Sequence, residues 1–466
     1  MNQKLGDFRR AGHEAVDWIA DYLQDPRQFP VLPQMKPGDL VDQIPDHAPE
    51  KGEPFENLLA DFHRLVIPAF THWNHPRFMA FFSTSASAPG VLAEMLSATI
   101  NGNVMLWKSS PAGTELEIAA MNWLRQWLGL PKQYFGIIYD TASMSTFTAI
   151  AAARHFADPE IREKGASAAN LILYTSEQAH SSVEKGALAL GIGQRNVRKI
   201  GTDPEFRMRV DLLRAAIEED VRAGKRPFCV VATVGTTSTT SVDPVPAIAD
   251  LAERYKLWLH VDAAYGGCAA MLPEKRAALD GIERCDSLVT NPHKWLMTPS
   301  DLSAFFTRRP EVLREAFSLV PEYLRTEENP RAVNFMDYGV QLGRRFRALK
   351  LWFIMRYYGR EGVAEMLRAQ IGWTQELASA IDADPHFERM APAPFTVVCF
   401  RVKGSDDDNH RLIDAVNATG KTFLAGTVLN GHFTVRLAIG NMGMTRDDVM
   451  AVWELVKQSA ATLGLV

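Results

Sequence analysis

The sequence is poor in cysteine: only four of its 466 residues are cysteines, and no two of them have CxxC spacing. The four are Cys229, Cys268, Cys285 and Cys399. Their wide spacing argues against a zinc site and against a disulfide framework. Reduced thiols are typical of the cytosol, so we expect a cytoplasmic protein without a bound metal.

Long apolar runs are also missing, since no window reaches the roughly 18 apolar residues that a membrane-spanning helix needs. The opening residues, MNQKLGDFRRAGHEAVDWIADYL, lack the apolar core and cleavage site of a signal peptide. Positive charge is not in excess, because 50 basic residues face 55 acidic ones. We therefore expect neither a membrane nor a nucleic acid as partner, and a small-molecule enzyme is favoured.

Apolar material is plentiful, at 47% of the residues, and is enough for a large core. Near the N-terminus, apolar residues recur at helical spacing from Phe8 to Leu23 and predict an amphipathic helix. The proline-rich stretch that follows, FPVLPQMKPGDLVDQIPDHAPEKGEP, is typical of an extended strap. A helix and a strap cannot form their own core, so we expect them to lie on another body, such as a second subunit.

The middle of the chain, from about 135 to 308, alternates short apolar runs with segments of helical spacing. The runs are FGIIYD, NLILYTS, FCVVATVGTT, LWLHVDAAYG, SLVTN and SAFFTR. This alternation predicts an α/β fold whose mainly parallel central sheet is covered by helices on both faces.

The last part reads as a small α+β domain. It has a long helix from about Leu351, the strands FTVVCFRV and FTVRLAIG, and a final helix that Thr445 and Asp448 can cap. The stretch SDDDN at 405–409 is interpreted as a solvated loop. We predict an N-terminal helical segment at 1–85, a large cofactor-binding domain at 86–350 and a small C-terminal domain at 351–466.

Polar residues follow five of the apolar runs, where parallel strands present their carboxyl ends. The stretches are DTASMS, SEQAHSSVEKG, GTTSTTS, VDAAYGG and NPHKW. Ligands of such sheets bind beyond these ends, so we expect the stretches to meet in one site. Taken alone each is weak: Lys294 could be a solvated turn lysine, and His180 an ordinary surface residue.

Three features of this edge suit one cofactor. DTASMS opens a helix directly after a strand, so Ala142 and Ser143 can offer N–H groups and a hydroxyl to an anion, unless Ser143 only caps the helix. Asp262 ends an apolar run and needs a cationic partner there, unless it is a turn residue. With Lys294 as amine, the set describes pyridoxal 5'-phosphate: lysine attachment, pyridinium partner and phosphate anchor.

Six ordered motifs carry a family resemblance. They are THWNHPRF, SPAGTELE, SEQAHSSVEK, VDAAYGG, NPHKW and LGRRFRALKLWF, and the resemblance runs from FRRAGHEAVDWIADYL to the final strands. The chain closely resembles the group II pyridoxal phosphate decarboxylases, and among them the aromatic L-amino acid decarboxylases, over essentially its whole length. The resemblance implies the fold-type I, aspartate aminotransferase-like architecture and an intertwined homodimer with active sites at the interface.

The resemblance also implies roles for individual residues. It places the cofactor on Lys294, the pyridinium partner on Asp262, and a stacking histidine that also touches substrate on His180. Cofactor contacts fall on Ala142, Ser143, Thr237, Ala264, Asn291 and His293. Thr84 matches a substrate-contacting threonine.

The same resemblance implies that an amino acid displaces Lys294, loses CO2 and is protonated on its α carbon. Tyr323, in VPEYLRTEENP, matches the tyrosine that donates this proton from a loop over the substrate. Relatives that use oxygen to make aldehydes tend to have phenylalanine at that tyrosine or asparagine at the histidine. This chain keeps Tyr323 and His180, so a decarboxylase is preferred to an aldehyde synthase.

The substrate is expected to be an aromatic amino acid of the tryptophan, phenylalanine, tyrosine or dopa type. Residues that line the aromatic pocket in relatives match Trp73, Phe81, Phe82 and Tyr265, although core packing would explain them equally well. Where relatives bring a large apolar or aromatic pair across the dimer interface, this chain has Asn103 and Met105. Gly343 matches relatives that accept indolic substrates, and no basic residue in these stretches favours an acidic substrate.

Overall fold

A computed structural model describes residues 5–166, 170–319 and 332–466. Its larger sheet has the strand order β1-β7-β6-β5-β4-β2-β3. The strands are β1 (Phe135–Tyr139), β2 (Leu171–Ser176), β3 (Val197–Ile200), β4 (Arg226–Thr233), β5 (Trp258–Asp262), β6 (Ser287–Thr290) and β7 (Ser303–Thr307). Six of these correspond to the six predicted runs.

The sheet is mainly parallel, as predicted. Strands β2 to β6 pair in parallel, whereas β7 is antiparallel to both of its neighbours, β1 and β6. Strand β3 was not predicted, because Arg198 and Lys199 interrupt its apolar residues at this edge of the sheet.

Helices cover both faces of the sheet. In the described part of the chain they are α1 (Leu5–Gln24), α2 (Phe55–Asp61), α3 (Ile67–Ala69), α4 (Ala88–Ile100), α5 (Pro111–Trp127), α6 (Ala142–Ala157), α7 (Ile161–Lys164), α8 (Ser182–Ala189), α9 (Val210–Arg222), α10 (Val245–Tyr255), α11 (Pro292–Trp295), α12 (Pro310–Phe317), α13 (Ala348–Ala383), α14 (Asp406–Ala418) and α15 (Arg446–Thr462). Apolar residues of α6, α8 and α12 form one core with the sheet, and those of α5, α9, α10 and α13 form another on the opposite face.

A second, antiparallel sheet lies in the C-terminal part. Its strands, in the order β10-β11-β9-β8, are β8 (Phe387–Arg389), β9 (Val397–Val402), β10 (Ala425–Leu429) and β11 (His432–Ala438). Helix α15 begins with the predicted capping box, in which Thr445 and Asp448 bond each other's backbone N–H groups. The interpretation of 405–409 as a loop is wrong: Ser405 and Asp408 form a second capping box that starts α14.

The N-terminal helix leaves part of its apolar face exposed, with Phe8 72% accessible. Farther along α1, Trp18 packs edge-on against Phe62 at 5.0 Å between ring centroids. Two arginines, one on each side of the strap, join the N-terminal part to the C-terminal part by charge. Arg27 Nη2 donates to Asp448 Oδ2 at 2.7 Å, and Arg77 Nε donates to the other carboxylate oxygen at 3.1 Å.

Among the described residues, none of the helices is both long and apolar enough to span a bilayer. Helix α13 runs across the predicted boundary at 350 and bends at Gly359, whose φ of 65° is outside the helical range. The division into segments 1–85, 86–350 and 351–466 stays a prediction.

Candidate active site

A cavity of about 180 Å³ lies at the carboxyl ends of β4, β5 and β6, beside the first turn of α6. This is where ligands of such sheets bind. Eleven residues singled out from the sequence line it: Phe82, Ala142, Ser143, His180, Thr237, Asp262, Ala264, Tyr265, Asn291, His293 and Lys294. Thr141, Thr233 and Gly235 line it as well and were not predicted.

Six described residues that were predicted to bear on substrate binding do not line this cavity: Trp73, Phe81, Thr84, Asn103, Met105 and Gly343. Trp73 stacks on Phe78, with 4.3 Å between ring centroids, in a small cluster with Val31. Phe81 is half exposed, and Thr84 is only partly buried. Tyr323 lies outside the described residues.

Lys294 is carried by the short turn α11, which follows β6 directly. The Lys294 N–H donates to the Asn291 carbonyl at 2.9 Å, which folds the chain back at the strand end. Burial lowers the pKa of the Lys294 amine, an effect that the nearby Asp262 opposes and Arg436 reinforces. A depressed pKa increases the fraction of neutral amine, the form that attacks a carbonyl carbon.

The carboxylate of Asp262 ends β5 with only 5% of the residue exposed. Its Oδ1 accepts the Ala264 N–H at 3.1 Å, which turns the chain away from the sheet. A buried carboxylate with one backbone hydrogen bond retains acceptor capacity for a cationic ring N–H. The small side chain of Ala264 lines the same cavity and leaves room for a flat ring.

An anion seat lies at the first turn of α6. Thr141, rather than Ser143, caps this helix, since its Oγ1 accepts the Met144 N–H at 3.4 Å. The alternative of Ser143 as N-cap is therefore wrong, and its hydroxyl is available to the cavity. The N–H groups of Ala142 and Ser143 belong to the first turn, where a helix supplies no acceptors of its own.

Two further donors meet across the cavity. His293 Nδ1 accepts the Leu302 N–H at 2.9 Å, and burial lowers the His293 pKa to about 4. A neutral ring whose Nδ1 is an acceptor carries its proton on Nε2. That Nε2 lies 3.3 Å from Nδ2 of Asn291, also a donor, so the pair requires a common acceptor. A phosphate oxygen meets this requirement, and the donor set fits the cofactor's phosphate.

The His180 ring is held in one orientation by the turn that starts α8. Its Nδ1 accepts the Ser182 N–H at 3.2 Å and lies 2.8 Å from the Ser182 hydroxyl. Burial lowers the pKa of His180, an effect that the Asp262 carboxylate only partly offsets. His180 is therefore neutral near pH 7, with its proton on Nε2.

An aromatic stack supports the lysine side of the cavity. Phe82 stacks on Tyr265 with ring centroids 3.8 Å apart, and Tyr265 stacks on Trp295 at 4.9 Å. The Lys294 Nζ lies 5.1 Å from the centre of the Phe82 ring. Such contacts favour a cation and a flat apolar ligand at this wall.

Arg436, on β11, is the main residue that the sequence analysis missed. Its Nε donates to the Thr237 carbonyl at 3.0 Å and its Nη1 to the Phe81 carbonyl at 2.5 Å. The Nη2 group is buried and has no hydrogen-bond partner, although the guanidinium lies 4.7 Å from the Phe82 ring centre. The strand gave no clear signal, because in FTVRLAIG Arg436 alternates with Val435 and Leu437, as a residue on the solvated face of a strand does.

Asn103 and Met105 lie together at the start of a turn away from the lysine. Asn103 Oδ1 accepts the Arg344 N–H at 2.9 Å, and its Nδ2 faces the Met105 sulfur at 3.5 Å. A Cβ on Gly343 would lie 3.8 Å from Asn103 Nδ2. The asparagine amide and Gly343 are thus neighbours, and Asn103 and Met105 stand where the resemblance gives relatives a large apolar or aromatic pair.

These features define a fold-type I pyridoxal phosphate enzyme. They are a buried lysine of lowered pKa, a nearby carboxylate and an anion seat lined by donors, all at the ends of a mainly parallel sheet. Residues 37–403 match the family described as "Pyridoxal-dependent decarboxylase conserved domain". The chain belongs to this family, which confirms the predicted fold, cofactor and enzyme class.

Known relatives are similar in sequence to this protein over nearly its whole length. A tryptophan decarboxylase of Camptotheca acuminata is 39% identical, with 98% of this chain and 95% of the relative covered. An aromatic-L-amino-acid decarboxylase of Manduca sexta is 38% identical, with 97% and 91% covered. The solved Catharanthus roseus tryptophan decarboxylase in complex with L-tryptophan aligns over 100% of both chains, with a TM-score of 0.94 and 36% identity.

Proposed function

We propose that the protein decarboxylates aromatic L-amino acids, releasing CO2 and the corresponding arylalkylamine. The observation that carries this proposal is the joint placement of the Lys294 amine, the Asp262 carboxylate and the anion seat in one cavity. Full-length similarity to decarboxylases of tryptophan and other aromatic amino acids supports the substrate class.

When bound, pyridoxal 5'-phosphate supplies an electron sink for the electrons of the broken Cα–carboxylate bond. Lys294 would hold the cofactor covalently through its amine, and this attachment would give way to the amino group of the substrate. Asp262 keeps a proton on the ring nitrogen, because an ionised carboxylate at that position stabilises the cation. Ala142, Ser143, Asn291 and His293 hold the phosphate, and Thr237 and Ala264 complete the seat.

The substrate carboxylate binds Arg436 in this proposal. Two of the three guanidinium nitrogens are occupied by carbonyl oxygens, and the third has no partner. Burying a charged donor without an acceptor is costly, so an anionic group is expected opposite it. Held at that nitrogen, the carboxylate is oriented for cleavage while the amine faces Lys294.

His180, which lines the cavity, would stack on the cofactor ring and donate from Nε2 to the substrate side. Tyr323, which lies outside the described residues, returns the proton to the α carbon and so produces an amine. The aromatic side chain packs near Phe82, with Thr84 and Trp73 as further substrate contacts. Asn103 and Met105 make the far end more polar, which suits ring hydroxyl or ring N–H groups.

We further propose a cytoplasmic homodimer with active sites at the interface. One face of α4 carries apolar side chains that are 40–65% exposed in the single chain: Leu92, Met95, Leu96 and Ile100. Together with the exposed part of α1, this face suits burial against a second copy. All four cysteines are buried free thiols, as expected in a reducing compartment.

The test is to incubate the enzyme with cofactor and a panel of amino acids while measuring CO2, amine, aldehyde and peroxide together. Tryptophan, tyrosine, phenylalanine and dopa should yield CO2 and amine in equal amounts, and glutamate neither. Lys294→Ala should abolish both turnover and the visible absorbance of lysine-bound cofactor, whereas the exposed Lys164→Ala should retain both. Aldehyde and peroxide in place of amine would replace this proposal with an oxidative aldehyde synthase.

A further inference from the structure

From a buried series of hydrogen bonds behind the cavity, which links Ser145, Ser303 and Asn291, we infer that Ser303 is a positioning residue. It sets which end of the Asn291 amide faces the phosphate. Ser145 supports it from α6. The inference rests on the proposed function, because it concerns how this chain holds the phosphate of its cofactor. Neither serine lines the cavity.

This series of hydrogen bonds joins α6, the lysine turn and β7. The Ser303 hydroxyl on β7 donates to Asn291 Oδ1 at 2.7 Å, and Ser145 on α6 lies 2.8 Å from the same hydroxyl. Asn291 begins the lysine turn, and α6 carries the anion seat. Both serines are completely buried, and Asn291 is 2% exposed, so water does not compete for these bonds.

The proton positions follow from the amide orientation in the structure, in which Asn291 Oδ1 faces the Ser303 hydroxyl. A serine hydroxyl has one proton, and that of Ser303 is used on Asn291 Oδ1, so Ser303 must accept the proton of Ser145. With Oδ1 occupied, the amide directs its Nδ2 donors toward His293 and the cavity. The serines therefore make Asn291 a donor to the phosphate instead of an acceptor that would repel it.

Removing the Ser303 hydroxyl leaves Oδ1 of Asn291 buried without a donor. The amide then gains by turning over, since its oxygen can accept from His293 Nε2–H, but this places an oxygen where a phosphate oxygen must bind. The loss of binding affinity is confined to ligands that carry the phosphate. The aldehyde and ring contacts at Lys294 and Asp262 are untouched.

The experiment compares two probes on the apoenzyme, pyridoxal 5'-phosphate and pyridoxal, which lacks the phosphate. Binding is followed by the visible absorbance of the lysine-bound form. Ser303→Ala should raise the Kd of pyridoxal 5'-phosphate about 10-fold, which corresponds to ~1.4 kcal/mol, and leave the Kd of pyridoxal within about 2-fold. Ser145→Ala should give a smaller rise of about 3-fold, and Ser303→Thr, which keeps the hydroxyl, should restore tight binding.

Ser287→Ala is the matched control, because Ser287 is a completely buried serine on β6 whose hydroxyl bonds Trp258 and His260 instead of the site. It should change thermal stability but not the ratio of the two Kd values. Equal weakening of both probes in Ser303→Ala, or no weakening of either, overturns the inference. If Ser303→Ala does not fold, the same ratio in Ser145→Ala decides. A wild-type protein that binds neither probe would instead overturn the proposed function.

Discussion

Replacing Arg436 by lysine should damage substrate binding selectively. A lysine has one nitrogen and cannot bond the Thr237 and Phe81 carbonyls while also holding a carboxylate, whereas the guanidinium leaves its Nη2 free for that purpose. A hydrogen bond to a charged group contributes about 1.5–3 kcal/mol. We therefore expect KM for L-tryptophan to rise by about 10- to 150-fold.

The assay compares KM for the substrate, L-tryptophan, with the inhibition constant of the product, tryptamine. Tryptamine lacks the carboxylate, so its inhibition constant should change by less than about 3-fold in Arg436→Lys, within the context dependence of a single contact. Arg401→Lys on the neighbouring strand β9 is the control, because Arg401 is equally buried, at 4%, but pairs with Asp406 away from the cavity. If KM and the tryptamine constant rise together, Arg436 shapes the pocket without binding the carboxylate, and the reasoning is refuted.

Three further outcomes are expected. Tyr323→Phe should lower the amine yield and raise aldehyde and peroxide, which are measured together in the product assay. Gly343→Ser should fold normally, since a Cβ there meets nothing closer than 3.8 Å, and should lower the ratio of tryptophan to tyrosine turnover. Burial lowers the pKa values of His75, His260 and His293 to about 4. In the unfolded chain these histidines titrate near 6.5, so the unfolded chain binds more protons than the folded one between pH 6.5 and 4. The free energy of unfolding should therefore fall as the pH drops through this window, by up to about 3 kcal/mol per histidine. Urea unfolding at several pH values measures this dependence, and His260→Gln should make it less steep.

The elements of the large sheet could be predicted because each buried strand is a short apolar run between polar ends. Strand β3 could not, since half of its residues are charged. The stretch at 405–409 was misread for a related reason: three consecutive aspartates resemble a loop by composition, yet the position of Ser405 relative to Asp408 is that of a capping box.

The sequence could predict those site residues that lie at the carboxyl end of a strand. Lys294, Asp262, Asn291 and His293 each follow a run directly, and parallel topology brings such ends together. Arg436 could not be placed in the same way, because it lies on the smaller sheet and meets the site through the carbonyl of Thr237, which lines the cavity. The direction of the Asn291 amide depends on two serines from α6 and β7, a geometry that spacing along the chain does not encode.

The ion pairs of Arg27 and Arg77 with Asp448 also bear on synthesis of the chain. Arg27 and Asp448 are 421 positions apart, so at roughly 5–20 residues per second a ribosome needs about 20–80 s between them. During that interval the Asp448 ion pairs are missing, and the Val31 N–H, which donates to the Gly420 carbonyl at 2.9 Å, can join the strap to the C-terminal part only once residue 420 has been made. The two ion pairs to Asp448 are therefore among the last contacts that the N-terminal part gains during synthesis.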